Sequence, residues 1–246
     1  MKVTATIEAR MGATRLPGKV MLPFGGLPML QRKIERVARC RTVNAIKVLT
    51  TINPVNQIIE DMCHRIDCPV FRGSEEDVLD RVLQGTADEN PDIIVQLTGD
   101  NPLIDPDLID QTVQHLIDHN LDLASNSLTQ RVLIGLNVRC FKRKALQRAD
   151  QLCKDPMIRV HGGYYIQLHP DDFKIGEPPV DPRYIVSDIR LTVDEPRDYE
   201  LARRVFETLH ATKPAFGADD ILDLFARFPE WKKINASVQQ KKPGEG

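Results

Sequence analysis

Apolar runs alternate with amphipathic segments along the first half of the chain. Short continuous apolar runs are typical of buried strands, and apolar residues spaced three and four apart are typical of helices. These patterns predict strands at 3–7, 45–50, 69–71 and 93–97, and helices at 29–38, 55–65, 75–87 and 107–119, the third with Ser74 as its N-cap. Strands that alternate with helices at this spacing favour βαβ units. The predicted fold class is therefore α/β with a doubly wound, mostly parallel sheet.

The second half of the chain has a less regular pattern. It predicts strands at 137–141 and 189–193 and helices at 144–153, 157–168, 196–209 and 218–228. The proline-rich stretch 177–182 is expected to be a loop or an arm, and the polar residues 239–246 are expected to form a disordered tail. We expect one domain, 1–238, in which residues 126–238 complete the sheet begun by residues 1–125 and add a lid or a dimer arm.

The segment 9–19 reads A-R-M-G-A-T-R-L-P-G-K and lies between the first predicted strand and the first predicted helix. At such a position backbone N–H groups close around phosphate oxygens, and the following helix contributes its positive dipole end. The loop also contains the cations Arg10, Arg15 and Lys19, which a triphosphate would need to balance its charge. It matches neither the G-x-x-x-x-G-K-[ST] phosphate loop nor the G-x-G-x-x-G dinucleotide fingerprint. The residues alone therefore predict an anion-binding loop, with a nucleotide as the candidate ligand.

Composition narrows the class of protein. The 246 residues carry a formal net charge of -2, so nothing draws the whole chain to nucleic acid or to an anionic membrane. No apolar run approaches the length of a membrane span, and the N-terminal residues lack a signal-peptide pattern. The five cysteines are scattered, which favours reduced thiols, and Cys63, His64 and Cys68 match no common zinc spacing. We therefore expect a cytoplasmic protein.

Two aspartates stand where apolar strands are predicted to end. Asp100 follows the strand at 93–97, and Asp194 follows the strand at 189–193. In a doubly wound sheet, ligands bind beyond the carboxyl ends of the strands. Carboxylates there bind Mg²⁺ together with phosphate oxygens and water. Each aspartate is alternatively a turn or N-cap residue, and spacing alone does not separate these two interpretations.

The loop sequence at 9–19, written A-R-M-G-x-T-R-L-P-G-K, resembles that of the cytidylyltransferase family that activates acidic sugars, the CMP-sugar synthetases for octulosonic and nonulosonic acids. The closer likeness is to the branch of the spore coat polysaccharide biosynthesis protein F. The resemblance covers about residues 1 to 210 and is strongest in 7–30, 70–82, 94–106 and 189–201. It implies a Rossmann-like nucleotidyltransferase fold, CTP and Mg²⁺ as ligands, and a homodimer built through the second half.

The resemblance also assigns roles to residues of this sequence. Lys19, Arg15 and Asp100 would be catalytic, and Asp100 and Asp194 would hold Mg²⁺. An acceptor oxygen would attack the α-phosphorus in line and release pyrophosphate, while the protein supplies positioning and charge neutralisation. The residues that would contact the nucleotide are Ala9, Arg10, Met11, Gly12, Thr14, Arg15, Lys19, Arg72, Gly73, Ser74 and Gln96. For Gln96, an ordinary polar residue at a strand end is the alternative.

One segment departs from the family pattern. Many relatives carry a D-G-L-D-V-E-V-F-like segment, whereas this chain reads I-G-L-N-V-R-C-F at 134–141. Asn137 and Arg139 lie on one face of the predicted strand, and if that face lines the acceptor pocket, the pocket is cationic and suits a carboxylate- or phosphate-bearing acceptor. Arg159 and His161 stand where relatives have an R-E-H-like triplet and are further candidates to bind the acceptor. The alternatives are a solvated strand face and a histidine that only packs.

Three functions remain open at this point. The first is a CTP-dependent cytidylyltransferase that transfers CMP to an acidic sugar or other anionic acceptor, for the synthesis of cell-surface polysaccharide or glycoconjugate precursors. The second is a nucleotidyltransferase that uses another nucleoside triphosphate or a sugar-1-phosphate acceptor. The third is a non-catalytic nucleotide-binding homologue. Nucleotide preference and product analysis separate the first two, and binding without pyrophosphate release would identify the third.

Overall fold

The computed structural model describes residues 1–130 and 132–240. The strands are β1 (Val3–Glu8), β2 (Pro23–Phe24), β3 (Leu27–Pro28), β4 (Ala45–Thr51), β5 (Val70–Gly73), β6 (Ile93–Thr98), β7 (Leu123–Ser125), β8 (Arg139–Lys142) and β9 (Ile175–Gly176). The helices are α1 (Met29–Val37), α2 (Gln57–Arg65), α3 (Val78–Gly85), α4 (Pro106–Asp118), α5 (Arg143–Leu152), α6 (Pro156–Arg159), α7 (Tyr164–Leu168), α8 (Pro196–His210) and α9 (Ala218–Arg227).

The main sheet has seven strands in the order β5-β4-β1-β6-β8-β7-β9. The pairs β5–β4, β4–β1, β1–β6 and β7–β9 are parallel, whereas β8 is antiparallel to both of its neighbours. Strands β2 and β3 form a separate antiparallel ribbon. The prediction of an α/β fold with a doubly wound, mostly parallel sheet is confirmed.

Apolar residues bury both faces of this sheet. Val3, Ala5 and Ile7 of β1 point into the larger core, which also takes side chains from α1, α4, α8 and α9. The opposite face packs Ile94 and Phe141 against α3 and α5. The larger core draws on the whole length of the chain, and the division into a first half, 1–125, and a second half, 126–238, stays a prediction.

The strand register brings polar side chains together at the carboxyl edge of the parallel strands. Glu8 of β1 pairs with Thr98 of β6, Gln96 of β6 pairs with Arg139 of β8, and Arg139 pairs with Ser125 of β7. Paired residues point to the same face of a sheet, and residues two apart along a strand share that face. These five side chains therefore lie on one face, at one edge.

Several predicted elements differ from the structure in type, continuity or starting residue. Residues 189–193 are not a strand, because Arg190 forms only an isolated bridge to Ile134. The predicted helix at 157–168 is divided into α6 and α7, and Gly162 between them has a φ of 61°, which residues with a Cβ rarely adopt. Helix α3 begins at Val78, because the side chain that caps it is Asp77 and not Ser74.

Other parts of the second half were incompletely predicted. The short strands β7 and β9 were not predicted, and the strand expected at 137–141 begins at Arg139. Within the predicted tail, Gln239 and Gln240 accept hydrogen bonds from Arg15 and Arg190, and residues 241–246 lie outside the described part. The lid or dimer arm stays a prediction. In the described ranges, 1–130 and 132–240, we find no helix with the length and apolar character that a bilayer crossing requires.

Candidate active site

The loop between β1 and Lys19 is held by hydrogen bonds at its base. Met11 donates its N–H to the side-chain oxygen of Asn56 at 2.8 Å, and Gly18 donates to the carbonyl of Met11 at 2.9 Å. Gly18 has a φ of 71°, so the turn that closes the loop favours glycine. Ala9 is buried and donates to the carbonyl of Leu49. By contrast, no described residue accepts from the backbone N–H groups of Gly12, Thr14 and Arg15.

Lys19 links this loop to both predicted metal-binding aspartates. Its Nζ lies 3.2 Å from Asp100 Oδ2 and 2.9 Å from Asp194 Oδ1, and it donates to the carbonyl of Val193 at 2.7 Å. Lys19 begins a short 3-10 helix and is 9% exposed. The structure therefore brings Lys19, Asp100 and Asp194 together, although these residues are far apart in the sequence.

Asp194 is surrounded by cations. Arg15 lies 3.0 Å and Arg190 lies 2.6 Å from its Oδ2, while Lys19 contacts the other oxygen. Burial opposes ionisation of this carboxyl, but Lys19, Arg15 and Arg190 outweigh it and hold its pKa below the usual range. Arg15 also lies 3.3 Å from Glu195. Both charges of the Arg15–Asp194 pair are thus compensated within the protein.

The two aspartates offer a donor set that fits Mg²⁺. They bring two carboxylates to the same ammonium group, and carboxylates are the ligands that Mg²⁺ takes from proteins when phosphate oxygens and water complete its coordination shell. Asp100 Oδ1 is additionally oriented by Thr98 Oγ1, which donates at 2.5 Å. Among the described residues, no group of three or more His, Cys, Asp or Glu side chains is placed to bind a metal ion. Mg²⁺ at the two aspartates would therefore need phosphate oxygens and water as its other ligands. The ammonium of Lys19 lies between the two carboxylates. When Mg²⁺ binds, this ammonium would either remain beside the ion or move away from the carboxylates.

The remaining predicted nucleotide contacts differ in how accessible they are. Arg10 is about half exposed and lies 3.8 Å from Glu75, so its charge is open to a ligand. Arg72 instead donates to the carbonyls at the end of β4 and just beyond it, and lies 2.9 Å from Glu60. Its guanidinium supports the strand end, and nothing in this geometry points it at a nucleotide. Gly73 packs against Arg81, and Ser74 lines a shallow depression beside this strand end.

A pocket of about 300 Å³ lies on the sheet face that carries the polar strand-end residues. Four of the predicted site residues line it: Gln96, Asn137, Arg139 and His161. It is also lined by Thr98, which contacts Asp100. The pocket therefore opens beside the Lys19–aspartate cluster, where an acceptor would need to lie.

Gln96 is fixed in orientation at the wall of this pocket. Its Nε2 donates to Glu8 Oε2 at 3.3 Å, and its Oε1 accepts from the N–H of Gly163 at 3.1 Å. A Cβ on Gly162 would meet Gln96 Nε2 at 2.1 Å, so the Gly162–Gly163 pair lets the chain lie directly on this amide. Burial, followed by the charge of Arg139, lowers the pKa of His161, which favours the neutral imidazole.

Arg159 does not line the pocket. Its guanidinium lies 2.7 Å from Asp77 and 2.7 Å from Asp150, and it also donates to the carbonyl of Cys153 at 3.0 Å. These contacts tie α6 to the start of α3. The geometry therefore gives the predicted contact of Arg159 with the acceptor no support.

Sequence reasoning missed two charged residues of this region. Glu8 lines the pocket, and the signal for it was the alternation of Thr4, Thr6 and Glu8 on the face of β1 opposite to Val3, Ala5 and Ile7. Lys33 is completely buried and donates to the carbonyls of Thr98 and Asn101 at 2.7 and 2.8 Å, on either side of Asp100. The feature of the sequence that could have identified Lys33 is its position among the apolar residues on the buried face of α1.

Comparisons with known proteins bear on the family and the fold of this chain. A family model described as cytidylyltransferase matches residues 4–228. The spore coat polysaccharide biosynthesis protein SpsF of Bacillus subtilis is 30% identical to this chain over 91% of the chain and 94% of its own length. A 3-deoxy-manno-octulosonate cytidylyltransferase of Pelobacter propionicus is 35% identical over 48% of this chain and 46% of its own length.

A solved structure extends the likeness to the whole fold. The structure of a cytidylyltransferase from Leptospira borgpetersenii superimposes with a TM-score of 0.86 at 30% identity. The match covers 98% of this chain and 100% of that one. The sheet, the loop after β1 and the second half are therefore parts of one shared architecture.

Proposed function

The chain belongs to the cytidylyltransferase family, and we propose that it transfers CMP from CTP to an acidic sugar with release of pyrophosphate. The observation that carries this proposal is the position of Lys19, which joins the loop after β1 to Asp100 and Asp194 beside the pocket that Arg139 lines. The loop supplies N–H groups and cations for a triphosphate, and the pocket supplies a guanidinium for an acid. The relatives' names, an octulosonate cytidylyltransferase and a polysaccharide biosynthesis protein, support an acidic sugar as acceptor.

The chain's own residues account for the chemistry by charge and position. A triphosphate on the loop lies next to Arg10, Arg15 and Lys19, whose charges stabilise the pyrophosphate as it leaves. The acceptor is held in the neighbouring pocket, so its oxygen is presented to the α-phosphorus without a covalent enzyme intermediate. Lys19 and Arg15 are neutralised by aspartates before the nucleotide arrives, and the incoming phosphates take over part of that pairing.

Asp100 and Asp194 would hold Mg²⁺, which neutralises charge on the phosphates when it is bound. The protein's contribution is to orient both carboxylates. Arg15 and Arg190 do so for Asp194, and Thr98 does so for Asp100.

The experiment that tests this function measures nucleotide binding and product formation together. Calorimetry with CTP, UTP, GTP and ATP in the presence of Mg²⁺ should show a preference for CTP. Pyrophosphate release from CTP should then depend on an added sugar acid, tested over a panel that includes 3-deoxy-manno-octulosonate. A preference for another nucleotide, or turnover with sugar-1-phosphates alone, would favour the second candidate function. Binding of CTP without pyrophosphate release for any acceptor would favour a non-catalytic homologue.

The homodimer is what the resemblance implies, whereas the expected location and ligand classes rest on the net charge and the apolar pattern of the sequence. We propose that it acts as a cytoplasmic homodimer built through the second half, and that neither nucleic acid nor a membrane is its ligand. Sedimentation at concentrations around those of the activity assay tests the dimer: a single monomeric species would contradict it.

A further inference from the structure

Two oppositely charged side chains face the acceptor pocket without neutralising each other. Glu8 ends β1 and Arg139 begins β8, and both line the pocket from the same face of the sheet. Among residues 1–130 and 132–240, neither has an ion-pair partner. Asp100 and Asp194 differ in this respect, since Lys19 lies within 3.2 Å of both.

Arg139 makes few of the hydrogen bonds that a guanidinium can donate. Its hydrogen bond to the carbonyl of His161 is 3.5 Å long, and its Nε is shielded from solvent with no acceptor in the described part of the chain. The ring centroid of Tyr164 lies 5.9 Å away, which adds only a weak contact. A guanidinium presents parallel N–H groups that match a carboxylate. An anionic ligand in the pocket would provide acceptors for the N–H groups of Arg139.

Glu8, in turn, has few hydrogen-bond donors for its carboxylate oxygens. Its Oε2 accepts one hydrogen bond, from Gln96 at 3.3 Å, and its Oε1 is shielded from solvent with no described donor. Burial raises the pKa of Glu8 to about 7, while the charges of Arg81 and Arg139 and the Gln96 hydrogen bond oppose that rise. An ionised carboxylate in this position lacks hydrogen-bond donors, and a ligand that donates would supply them.

Other groups near Glu8 must be separated from it in any titration. The charged and titratable groups that face it or its pocket are Lys33 on α1, Arg81 on α3, Asp100 after β6, Arg139 on β8, His161 between α6 and α7, and Tyr164 at the start of α7. Burial lowers the pKa of Lys33 to about 7, but Lys33 does not line the pocket and donates to backbone carbonyls. A Glu8 variant therefore shows whether a change of binding near pH 7 comes from Glu8 or from Lys33.

We infer that Glu8 and Arg139 are the two poles of the acceptor subsite: Arg139 binds the carboxylate of the acceptor, and Glu8 accepts a hydrogen bond from a hydroxyl or amino group of the same molecule. This inference rests on the proposed function, which supplies the acid. It also modifies the expectation of a cationic pocket, because the Glu8 carboxylate lines the pocket together with the Arg139 guanidinium. The favoured acceptor is a hydroxy acid whose donor group and anion span the pocket, and a simple anion is a poorer ligand.

The pH dependence of acceptor binding follows from this arrangement. Glu8 accepts the acceptor's hydrogen bond in its ionised form, so binding should tighten as the pH rises through about 7 and then level off. Glutamine has nearly the same shape and does not titrate, so in Glu8→Gln this change should disappear.

Calorimetry with 3-deoxy-manno-octulosonate and its neutral carboxamide tests the inference, with a non-hydrolysable CTP analogue present. Arg139→Gln should weaken binding of the acid at least tenfold and abolish the preference for the acid over the carboxamide. Glu8→Gln should weaken binding several-fold at pH 8 and bind equally at pH 6 and pH 8. Arg148→Gln is the matched control, because this exposed arginine pairs with Asp172 outside the pocket, and it should bind as the wild type does.

The outcomes separate this inference from the proposed function. Acid binding by the wild type that Arg139→Gln and Glu8→Gln leave unchanged would overturn the inference, and so would absence of any acid binding. If binding follows the expected pattern but CTP yields no pyrophosphate, the subsite assignment holds and the proposed transfer fails. Circular dichroism of each variant shows whether a loss of binding reflects a loss of fold.

Discussion

The phosphate loop with its two aspartates and the acceptor pocket differ in how they compensate charge. In the first region, Lys19 lies within 3.2 Å of Asp100 and of Asp194, and Asp194 also contacts Arg15 and Arg190. In the second, Glu8 and Arg139 lack ion-pair partners within the described ranges. In the first region the charges are paired with one another in the absence of a ligand. In the second, a ligand would supply the missing partners of Glu8 and Arg139.

The difference has a consequence for stability. Buried charges with partners stabilise the fold around them, and removing one partner leaves the other uncompensated. Buried charges without partners reduce stability and are kept where they serve binding. Substitutions in the first region should therefore reduce both stability and activity, whereas substitutions in the second should reduce acceptor binding and raise stability.

The largest expected effect is that of Lys19→Ala. It leaves Asp100 and Asp194 without their shared cation and removes a charge from the leaving pyrophosphate. We expect kcat/KM for pyrophosphate release to fall by about 10²–10³-fold, roughly 3–4 kcal/mol in the barrier, as for the loss of one oxyanion donor. Lys213→Ala, at an exposed pair with Asp220, is the control and should keep its activity. Undiminished turnover in Lys19→Ala would remove Lys19 from the proposed mechanism.

Lys33→Met should have the next largest effect, on stability. Methionine keeps the length of the side chain but leaves the carbonyls of Thr98 and Asn101 without donors, which costs about 1–3 kcal/mol. Activity should fall as well, because these carbonyls flank Asp100. Lys47→Met is the matched control: it removes another buried lysine, one that pairs with Asp88 and Glu89 away from the site.

Urea unfolding and turnover of the folded fraction check this expectation. Both lysine variants should unfold at lower urea concentration, but only Lys33→Met should lose turnover. Equal turnover in the two variants would contradict a role for Lys33 in positioning the Asp100 turn.

Asp100→Asn tests the proposed metal site. The substitution keeps the shape of the side chain and the contact with Thr98 but removes the charge. The tightening of CTP binding by Mg²⁺ should shrink by about tenfold, or roughly 1.4 kcal/mol. Calorimetry of CTP with and without Mg²⁺ measures it, with the exposed Asp107→Asn as control. A response to Mg²⁺ equal to that of the wild type would exclude Asp100 as a ligand.

Glu8→Gln should have the smallest effect, and it should be stabilising. Because the pKa of Glu8 is raised from 4.5 to about 7 in the folded protein, folding binds a proton between these pH values and the wild type loses stability as the pH rises through them. The upper limit is roughly 3 kcal/mol, and water in the pocket should reduce it to about 1 kcal/mol. Unfolding at pH 5 and pH 8 should show the variant gaining on the wild type. An equal difference at both values would contradict the raised pKa.

The sequence was most informative where local pattern and tertiary role agree. The alternating strands and helices of the first half fixed the parallel part of the sheet, because each element there is long enough to show its period. The loop at 9–19 and Asp100 could be placed at strand ends for the same reason. The contact between Lys19 and Asp194 could not be predicted from the sequence, because it depends on how the second half of the chain packs against the first.

The failures have tertiary causes. The helix expected at 157–168 is interrupted at Gly162 because the chain there lies against the amide of Gln96, a contact that no local pattern reveals. The expected strand at 189–193 carries an apolar pattern because it is buried in the core beside Ile134 and not because it joins the sheet. Arg159 looked like an acceptor ligand, but Asp77 and Asp150 occupy its guanidinium. Charged residues in irregular segments can be assigned only when their neighbours are known.

The most direct test of the central claim follows the α-phosphate of CTP. CTP labelled at that phosphorus is incubated with the protein, Mg²⁺ and the sugar acid that binds best. We predict that the label appears in a CMP-linked acid in equal amount to the pyrophosphate released, and that Lys19→Ala slows both together. Label that remains in free CMP or CTP, while pyrophosphate is absent or forms without the acid, would contradict cytidylyl transfer.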